Sequence, residues 1–184
     1  MKAPELDINE ITLRGVGLKD APAMQEHFAN WNVVKSIGAI PWPYPQDGAR
    51  NYIERRLEDS IQKEIYFWGI FLKQNSDELI GTIEYRFFDD EEENRGFWLS
   101  ESHWGKGIMT DAVSITQDFV FFELGKPRLL VRSLCTNVAS KAVKEKTGAC
   151  HIGIRQGSYH DGEKDQDVWE ITRESWTRAK NKTR

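Results

Sequence analysis

Apolar residues recur along this chain with two periods, and the shorter period predicts β-strands. Alternating apolar and polar positions, or a short apolar run bounded by turn residues, are typical of strands. The sequence predicts seven strands, at 11–14, 65–72, 79–88, 95–100, 128–134, 149–156 and 167–173. The acidic run at 89–93 is predicted to be a solvated hairpin loop between the third and fourth strands.

The longer period, with apolar residues three or four positions apart, predicts four helices. Their predicted starts are Asp20, Asp47, Met109 and Asn137. Asp and Asn are residue types that favour helix N-termini. The helix that starts at Met109 is predicted to reach Leu124, where Gly125 and Pro127 follow. Its predicted buried stripe consists of Ala112, Ile115, Phe119 and Phe122.

The order of these elements predicts an α/β (α+β) fold in one domain. A single strand, two helices and three consecutive strands are followed by a helix, a strand, a helix and two final strands. This order favours a mixed, mostly antiparallel sheet over a doubly wound parallel one. No repeat or linker divides the chain, so residues 1–184 are predicted to be a single domain.

Composition and charge narrow the classes of function. A net charge of −4 and a pI near 5.6 argue against direct binding of nucleic acid, which favours basic surfaces. No run reaches the roughly 18–20 apolar residues of a membrane span, and the N-terminus lacks the apolar segment of a secretory signal. The four histidines and two cysteines have no metal-site spacing and form no disulfide framework. We therefore predict a cytoplasmic monomer or homodimer that acts without a membrane or a metal.

A glycine-bracketed turn between a strand and a helix carries the strongest chemical signal. Residues 96–111 read GFWLSESHWGKGIMTD, so the turn leads directly into the helix that starts at Met109. Glycines let a backbone approach a ligand closely, and the N–H groups and dipole of a helix N-terminus favour an anion. The turn predicts a phosphate or pyrophosphate site, although the same glycines could simply close a tight turn.

Two motifs in this order of elements resemble the GNAT superfamily of acetyl-coenzyme A-dependent N-acetyltransferases. The first is WGKGIMTDA at 104–112, which is similar to the pyrophosphate loop of the superfamily, with Trp104 in place of Gln or Arg and Met109 in place of the final Gly or Ala. The second, NVAS at 137–140 followed by EK at 145–146 and Gly148, resembles the RimJ/RimL-like branch of ribosomal-protein N-terminal acetyltransferases. The segment 169–176 is similar to the closing strand of that branch. The resemblance spans about 10–176.

The resemblance implies a fold, an activity and a cofactor. The sheet should splay between the fourth and fifth predicted strands, 95–100 and 128–134, and the pantetheine arm of acetyl-CoA should lie in the gap. The activity would be acetyl transfer to an amine by direct attack in a ternary complex. The acceptor implied first is a protein N-terminal α-amine. The alternatives are a small-molecule amine, such as an antibiotic or a polyamine, and a non-catalytic module that senses acyl-CoA.

The resemblance also assigns residues to the cofactor and to proton transfer. The implied cofactor contacts are Trp98, Leu99 and Ser100 along the arm, Trp104, Gly105, Lys106, Gly107, Ile108, Met109 and Thr110 around the pyrophosphate, and Asn137 and Ser140 on the next helix. The backbone N–H of Leu99 would stabilise the oxyanion. Ser140 would protonate the departing thiolate, with Tyr159 as a rival donor. Asn137 is also explained by helix capping alone.

The catalytic base and the acceptor wall are less well defined by the sequence. Candidate bases are Glu101, beside the glycine turn, Glu84, which alternates with Ile83 and Tyr85, and Glu170, on the last strand. Asn94 stands where many members carry a carboxylate. Three prolines in 40–45 predict a stiff loop, and its Trp42 and Tyr44 are candidates for the acceptor wall.

Overall fold

The fold consists of two antiparallel sheets that lie side by side. The computed structural model of the chain describes residues 3–38, 40–87 and 93–183. Most of the predicted acidic loop, 89–92, lies outside the described residues, as does Phe88 at the end of the third predicted strand.

The first sheet contains five strands in chain order. They are β1 (Leu6–Ile8), β2 (Ile11–Gly15), β3 (Ile65–Leu72), β4 (Asn75–Arg86) and β5 (Arg95–Leu99). The second sheet has the order β6-β8-β7 and contains β6 (Arg128–Leu134), β7 (Cys150–Tyr159) and β8 (Gly162–Thr172). Strand pairing stops between β5 and β6, as expected for a sheet that splays there, so the predicted fold class is confirmed.

Among the described residues, six α-helices cover the sheets, two more than the sequence predicts. They are α1 (Ala21–Phe28), α2 (Trp31–Val34), α3 (Gly48–Gln62), α4 (Ile108–Asp118), α5 (Val138–Lys146) and α6 (Arg173–Thr183). The short α2 and the C-terminal α6 were not predicted, and neither was β1. In α3, Ile53 is fully buried, whereas Ile61 is 84% exposed.

The last strand, predicted at 167–173, ends at Thr172, so only the first half of the segment 169–176, which resembles a closing strand, lies in a strand. The reason is local: the N–H of Thr172 donates to Ser175 Oγ at 3.0 Å and the N–H of Ser175 donates to Thr172 Oγ1 at 3.1 Å. These two bonds start α6. The helix then buries Trp176 in the core, where its indole N–H donates to Asp118.

The predicted buried stripe of the helix that follows the glycine turn fails at Phe122. The regular α4 continues as a π-helical turn over Phe119–Glu123. Such a turn is wider than an α-turn and therefore shifts the buried face. As a result Phe121 is fully buried, whereas Phe122 is 52% exposed.

The first sheet is covered on both faces, and this arrangement determines which side chains meet at the site. One face packs against α4 and α6 in a core that includes Trp68, Tyr85 and Phe121. The other face packs against α1 and α3, in a core that includes Met24 and Phe67. Because side chains alternate along a strand, neighbouring residues of β4 and β5 face opposite cores.

Within the described part of the chain, every helix is too short or too polar to cross a bilayer.

Candidate active site

The glycine turn has the backbone geometry of a ligand-binding loop. Gly105 and Gly107 have φ values of 74° and 81°, in the left-handed region that favours glycine. A Cβ built on either residue meets no atom within 4 Å, so both face open space. Trp104, on the exposed side, donates from its indole N–H to the carbonyl of Leu99 at 2.8 Å. This bond ties the turn to the end of β5.

Helix α4 starts directly after this turn with Gly107 as its N-cap residue. The N–H groups of the first helical turn, on Ile108, Met109 and Thr110, have no acceptor within the helix. All three residues line a large cavity, together with Gly105 and Gly107. These amides can therefore bind a diphosphate. Lys106 and Ser100 are absent from the described lining of the cavity, and Ser100 Oγ instead lies 2.7 Å from His103 Nδ1.

The gap between β5 and β6 is closed at one end by Asn94. Its backbone N–H donates to the carbonyl of Leu130 at 2.8 Å, and its Oδ1 accepts from the N–H of Leu130 at 2.7 Å. Its Nδ2 donates to the carbonyl of Arg86 at 3.2 Å. Asn94 is 6% exposed. The position where a carboxylate was expected is therefore occupied by a structural residue that joins the two sheets.

Beyond Asn94 the gap exposes backbone N–H groups of β5. The N–H of Ser100 donates to the carbonyl of Ile80, so Ser100 bonds towards β4. In an antiparallel ladder such bonds alternate, and the N–H groups of Leu99 and Phe97 therefore point away from β4, towards the gap. Leu99 was predicted to be the oxyanion donor. Phe97 provides a second N–H of the same kind, which the sequence alone did not identify.

Helix α5 forms the other wall of the gap. Asn137 caps it, because its Oδ1 accepts from the N–H of Ser140 at 3.0 Å, and the predicted cap is thus confirmed. Ser140 is 9% exposed and lines the cavity. Its Oγ accepts a hydrogen bond from Lys144 Nζ at 2.7 Å. Lys144, which the sequence did not single out, is 1% exposed.

Tyr159 lies at the end of β7 and also lines the cavity. Its hydroxyl accepts a hydrogen bond from Gln166 at 2.8 Å. Burial raises the pKa of Tyr159 above its usual value, so its hydroxyl is protonated near neutral pH. The structure therefore brings both predicted proton donors, Ser140 and Tyr159, to the same cavity.

The cavity has a volume of about 1170 Å³ and passes from one face of the first sheet to the other. Phe97 lines it from the side of α4, and Glu84 and Trp98 line it from the side of α1 and α3. Its described lining is basic, with only Glu84 and Glu93 as carboxylates. The Lys and Arg residues of the lining are Lys35, Arg55, Arg56, Arg86, Arg95, Arg132, Lys144 and Lys146.

Glu84, the candidate base on β4, lies in the cavity but its carboxylate is fully engaged. It accepts hydrogen bonds from Tyr52 Oη at 3.0 Å, from Arg56 Nε at 2.8 Å and from Arg86. The two guanidinium groups occupy the lone pairs of this carboxylate that a base would need. Burial raises the pKa of Tyr52, and the charge of Glu84 raises it further.

The other two candidate bases lie away from the described cavity lining. Glu101 is exposed and accepts hydrogen bonds from the side chains of Asn30 and Asn32 at 2.6 and 2.9 Å. Glu170 on β8 pairs with Arg128 at 3.3 Å. Both therefore have structural partners, and the geometry gives no support to either as the base.

His103 is a cavity residue that the sequence analysis did not consider as a base. Burial lowers the pKa of His103, and the charge of Lys106 lowers it further. A neutral imidazole can accept a proton near neutral pH. In the sequence, the only feature that could have indicated this role is the position of His103 beside the glycine turn.

The proline loop contributes one of its two predicted aromatic residues to the cavity. Tyr44 lines the cavity and packs on Phe28, with ring centroids 5.0 Å apart. Burial raises the pKa of Tyr44 to about 12. Trp42 is 39% exposed and is not part of the described lining; it packs on Trp31, which in turn packs on His160. Trp42 therefore braces the loop from outside.

Several buried polar atoms of the lining lack a hydrogen-bond partner among the described residues. They are Trp98 Nε1, Ser133 Oγ, and Nε and Nη2 of Arg95. Such atoms are costly to bury unless a ligand satisfies them. A pantetheine arm has amide and hydroxyl groups that suit these donors. The site therefore fits coenzyme A. The unpaired atoms and the amides of the gap suit its pantetheine arm, and the open glycine turn suits its diphosphate.

Within 3–38, 40–87 and 93–183, no three His, Cys, Asp or Glu side chains lie close enough together to hold an ion.

Two splayed antiparallel sheets, a phosphate-binding turn and a gap that fits pantetheine define a coenzyme A-dependent acyltransferase. The chain belongs to the GNAT acetyltransferase family: residues 10–149 match the model described as "Acetyltransferase (GNAT) domain". It is therefore an N-acetyltransferase whose cofactor is acetyl-CoA.

Individual relatives agree with this assignment. The chain is 33% identical to "Probable N-acetyltransferase YjcK" of Bacillus subtilis over 130 aligned residues. The aligned region covers 69% of this chain and 69% of that protein. Mycobacterium smegmatis RimJ, in complex with CoA-disulfide, superposes with a TM-score of 0.80 at 18% identity, over 95% of this chain and 90% of that one. The ribosomal-protein-S5-alanine acetyltransferase of Vibrio fischeri superposes with a TM-score of 0.79 at 17% identity, over 94% of this chain and 98% of that one. These two structures share the fold.

Proposed function

We propose that this N-acetyltransferase acetylates a protein N-terminal α-amine, as ribosomal-protein acetyltransferases do, by direct attack in a ternary complex. The observation that carries this proposal is the lack of a free carboxylate in the described cavity lining. Glu84 is bound by Arg56 and Arg86, and Glu93 accepts a hydrogen bond from the N–H of Arg132.

A site in which both described carboxylates already accept hydrogen bonds suits an amine that loses its proton easily. An α-amino group has a pKa of about 7.7–8.0, whereas a lysine side chain has a pKa of about 10.4. Near pH 7 roughly a tenth or more of an α-amine is neutral, compared with less than about a thousandth of a lysine. An α-amine therefore needs only mild help, which His103 could give directly or through water.

The continuity of the cavity supports direct attack. Acetyl-CoA supplies an activated acetyl thioester, and the chain supplies the groups around it. The N–H groups of Leu99 and Phe97 point into the gap and would stabilise an oxyanion, for which one donor contributes about 2.7–4 kcal/mol. Ser140 would donate a proton to the leaving sulfur. Tyr159 remains the alternative donor.

The names of the two structural neighbours support the choice of acceptor. RimJ and the ribosomal-protein-S5-alanine acetyltransferase share the fold with this chain over more than nine-tenths of its length. We also propose that the protein acts in the cytoplasm, as a monomer or a homodimer; its ordinary polar composition supports the location.

A small-molecule amine is the second candidate, and the charge of the cavity limits its nature. The described lining carries eight Lys or Arg side chains and two carboxylates. This excess of positive charge would repel a polyamine or an aminoglycoside. It favours an amine that also carries a carboxylate or a phosphate.

The release of free thiol from acetyl-CoA tests the proposal with a small panel of amines. The panel contains a peptide with a free N-terminus and no lysine, the same peptide formylated at the N-terminus and extended by one lysine, and spermidine. We expect turnover with the first peptide and a mass increase of one acetyl group at its N-terminus. Preferred turnover of the lysine peptide or of spermidine would contradict the proposal.

A further inference from the structure

A lysine buried beside Ser140 is the feature that the proposed roles leave unexplained. Lys144 lies one helical turn after Ser140 on α5, is 1% exposed and lines the cavity. Its Nζ donates to Ser140 Oγ at 2.7 Å. Lysines are almost never fully buried unless they are paired with a charge, yet this one is bonded to a neutral hydroxyl.

The surroundings of Lys144 are charged on several sides. Arg95, from β5, is 2% exposed and adds a like charge. Glu93, just before β5, and Asp167, from β8, add opposite charges. The ring of Phe97 lies 5.5 Å from Nζ. Burial, and after it Arg95, lowers the pKa of Lys144 to about 7, against the smaller opposing effects of Glu93 and Asp167.

A lysine in this state exchanges its proton near neutral pH, as general acids and bases do. Filling space alone would not explain its presence. A methionine or leucine would occupy much the same volume without the cost of removing an ammonium group from water. The retained amine is therefore best explained by its contact with Ser140.

We propose that Lys144 is a positioning residue that holds and reloads the proton that Ser140 gives to the leaving sulfur. The inference rests on the proposed function, since it needs Ser140 to act on the thiolate side. When the carbon–sulfur bond breaks, the sulfur takes its electron pair and the proton of the Ser140 hydroxyl. Ser140 Oγ takes a proton from the Lys144 ammonium group, which becomes a neutral amine. The acceptor amine loses one proton to water, and Lys144 regains one from water, so the reaction is balanced.

Substitutions on one helix test this proposal. Lys144→Met keeps the volume of the side chain and removes the amine, and Ser140→Ala removes the hydroxyl. Lys141→Met is the matched control, because Lys141 lies on the same helix and is exposed. The variants and the double variant S140A/K144M are assayed with an amine that the wild-type protein acetylates, at saturating acetyl-CoA, between pH 6 and pH 9.

We expect Lys144→Met to lower kcat at pH 7 by about 10-fold to 100-fold, with an unchanged KM for acetyl-CoA, and Lys141→Met to leave both unchanged. The wild-type kcat should fall as pH rises above about 7, where Lys144 loses its proton, and Lys144→Met should lack this fall. Adding Lys144→Met to Ser140→Ala should lower kcat no further. A purely structural lysine would move neither the pH profile nor this coupling.

Nuclear magnetic resonance gives a second readout that does not depend on activity. With ¹³C-labelled lysine, one ε-carbon signal should titrate near pH 7 and be missing in Lys144→Met. An active wild-type protein in which that signal titrates near 10.4, or in which Lys144→Met keeps its kcat, would overturn this inference alone. A wild-type protein that acetylates no amine would instead overturn the proposed function, and the catalytic step with it.

Discussion

Gly107 is the residue on which we expect binding of the cofactor to depend most directly. It has a φ of 81° and is the N-cap residue of α4. A side chain there would project into open space at the predicted pyrophosphate site. Gly107→Glu should therefore weaken coenzyme A binding at least about tenfold, because it adds a negative charge as well as strain. Titration calorimetry measures this change.

Gly107→Ala is the matched control for that variant. It adds only the left-handed strain of an alanine, about 1–2 kcal/mol, without a charge. A smaller loss of affinity in Gly107→Ala than in Gly107→Glu would attribute the difference to the phosphates. Equal losses would mean that the backbone turn alone is responsible.

The buried lysine also predicts how stability depends on pH. Its pKa is about 7 in the folded protein and about 10.4 in the unfolded chain. Between these values the unfolded chain binds more protons, so stability rises with pH. The cost of burying the charge is fully present below pH 7 and disappears as pH rises through 10.4. Lys144→Met removes this cost.

The melting temperature of Lys144→Met should therefore exceed that of the wild type by several degrees at pH 6. The difference should shrink as the pH approaches 10. Calorimetry at a series of pH values measures both. A variant that melts below the wild type at pH 6 would show that the amine stabilises the fold.

Single residues could be assigned from the sequence when their role depends on local geometry. The glycines of the turn and the Asn137 cap are of this kind, since a φ above zero and a capping side chain involve only neighbours in the chain. The role of Lys144 could not be assigned from the sequence, because a lysine on a helix is usually solvated. Its burial depends on Phe97 and Arg95, which lie more than forty residues earlier.

At the scale of elements, the gap between β5 and β6 depends on Asn94. Asn94→Ala would leave the partly buried N–H of Leu130 and the carbonyl of Arg86 without their side-chain partners. We expect a loss of about 1–3 kcal/mol in the free energy of unfolding, measured by urea denaturation. Coenzyme A should bind more weakly as well, because the width of the gap would no longer be fixed.

Asn94→Asp separates this structural role from catalysis. An aspartate keeps an acceptor for Leu130 but cannot donate to Arg86, so it should also be less stable than the wild type. It would place a carboxylate where the resemblance to the family implies one. A faster enzyme with Asp at this position would contradict the structural role and favour a missing base.

Elements were predicted well where their periodicity was complete and poorly where tertiary contacts determined them. The strands from β2 to β8 and the helices α1, α3, α4 and α5 follow from apolar patterns. Helix α6 was missed because its start depends on an exchange of hydrogen bonds between Thr172 and Ser175. Phe122 was wrongly predicted to be buried because the spacing of apolar residues does not reveal the π-helical turn at Phe119–Glu123.

At the scale of the whole molecule, charge is distributed unevenly. The chain has a net charge of −4, yet the described lining of its cavity is basic. Among peptide acceptors, those with Glu at the second and third positions should have a KM about fivefold lower than those with Lys. This corresponds to about 1 kcal/mol in total, which is the size of a single exposed charge pair. The difference should shrink as salt is raised from 50 to 500 mM, roughly as screening predicts.

Two arginines of α3 provide a matched pair for this measurement. Arg55 is exposed and lines the cavity, whereas Arg50 is exposed outside the described lining and pairs with Glu54. Arg55→Met should reduce the preference for acidic peptides, and Arg50→Met should leave it unchanged. If both substitutions reduced the preference equally, the preference would arise from the overall electrostatic field of the protein.

The cavity has two walls, and they come from separate stretches of the chain. Residues 28–56 supply much of the wall beside Tyr44, and the residues from Leu99 onwards supply the turn and the α5 wall. Natural variation in the first stretch could therefore change the specificity for the amine without changing the affinity for the thioester carrier. Grafting the first stretch from a relative with a different preference should transplant that preference and leave the binding constant for coenzyme A as it was.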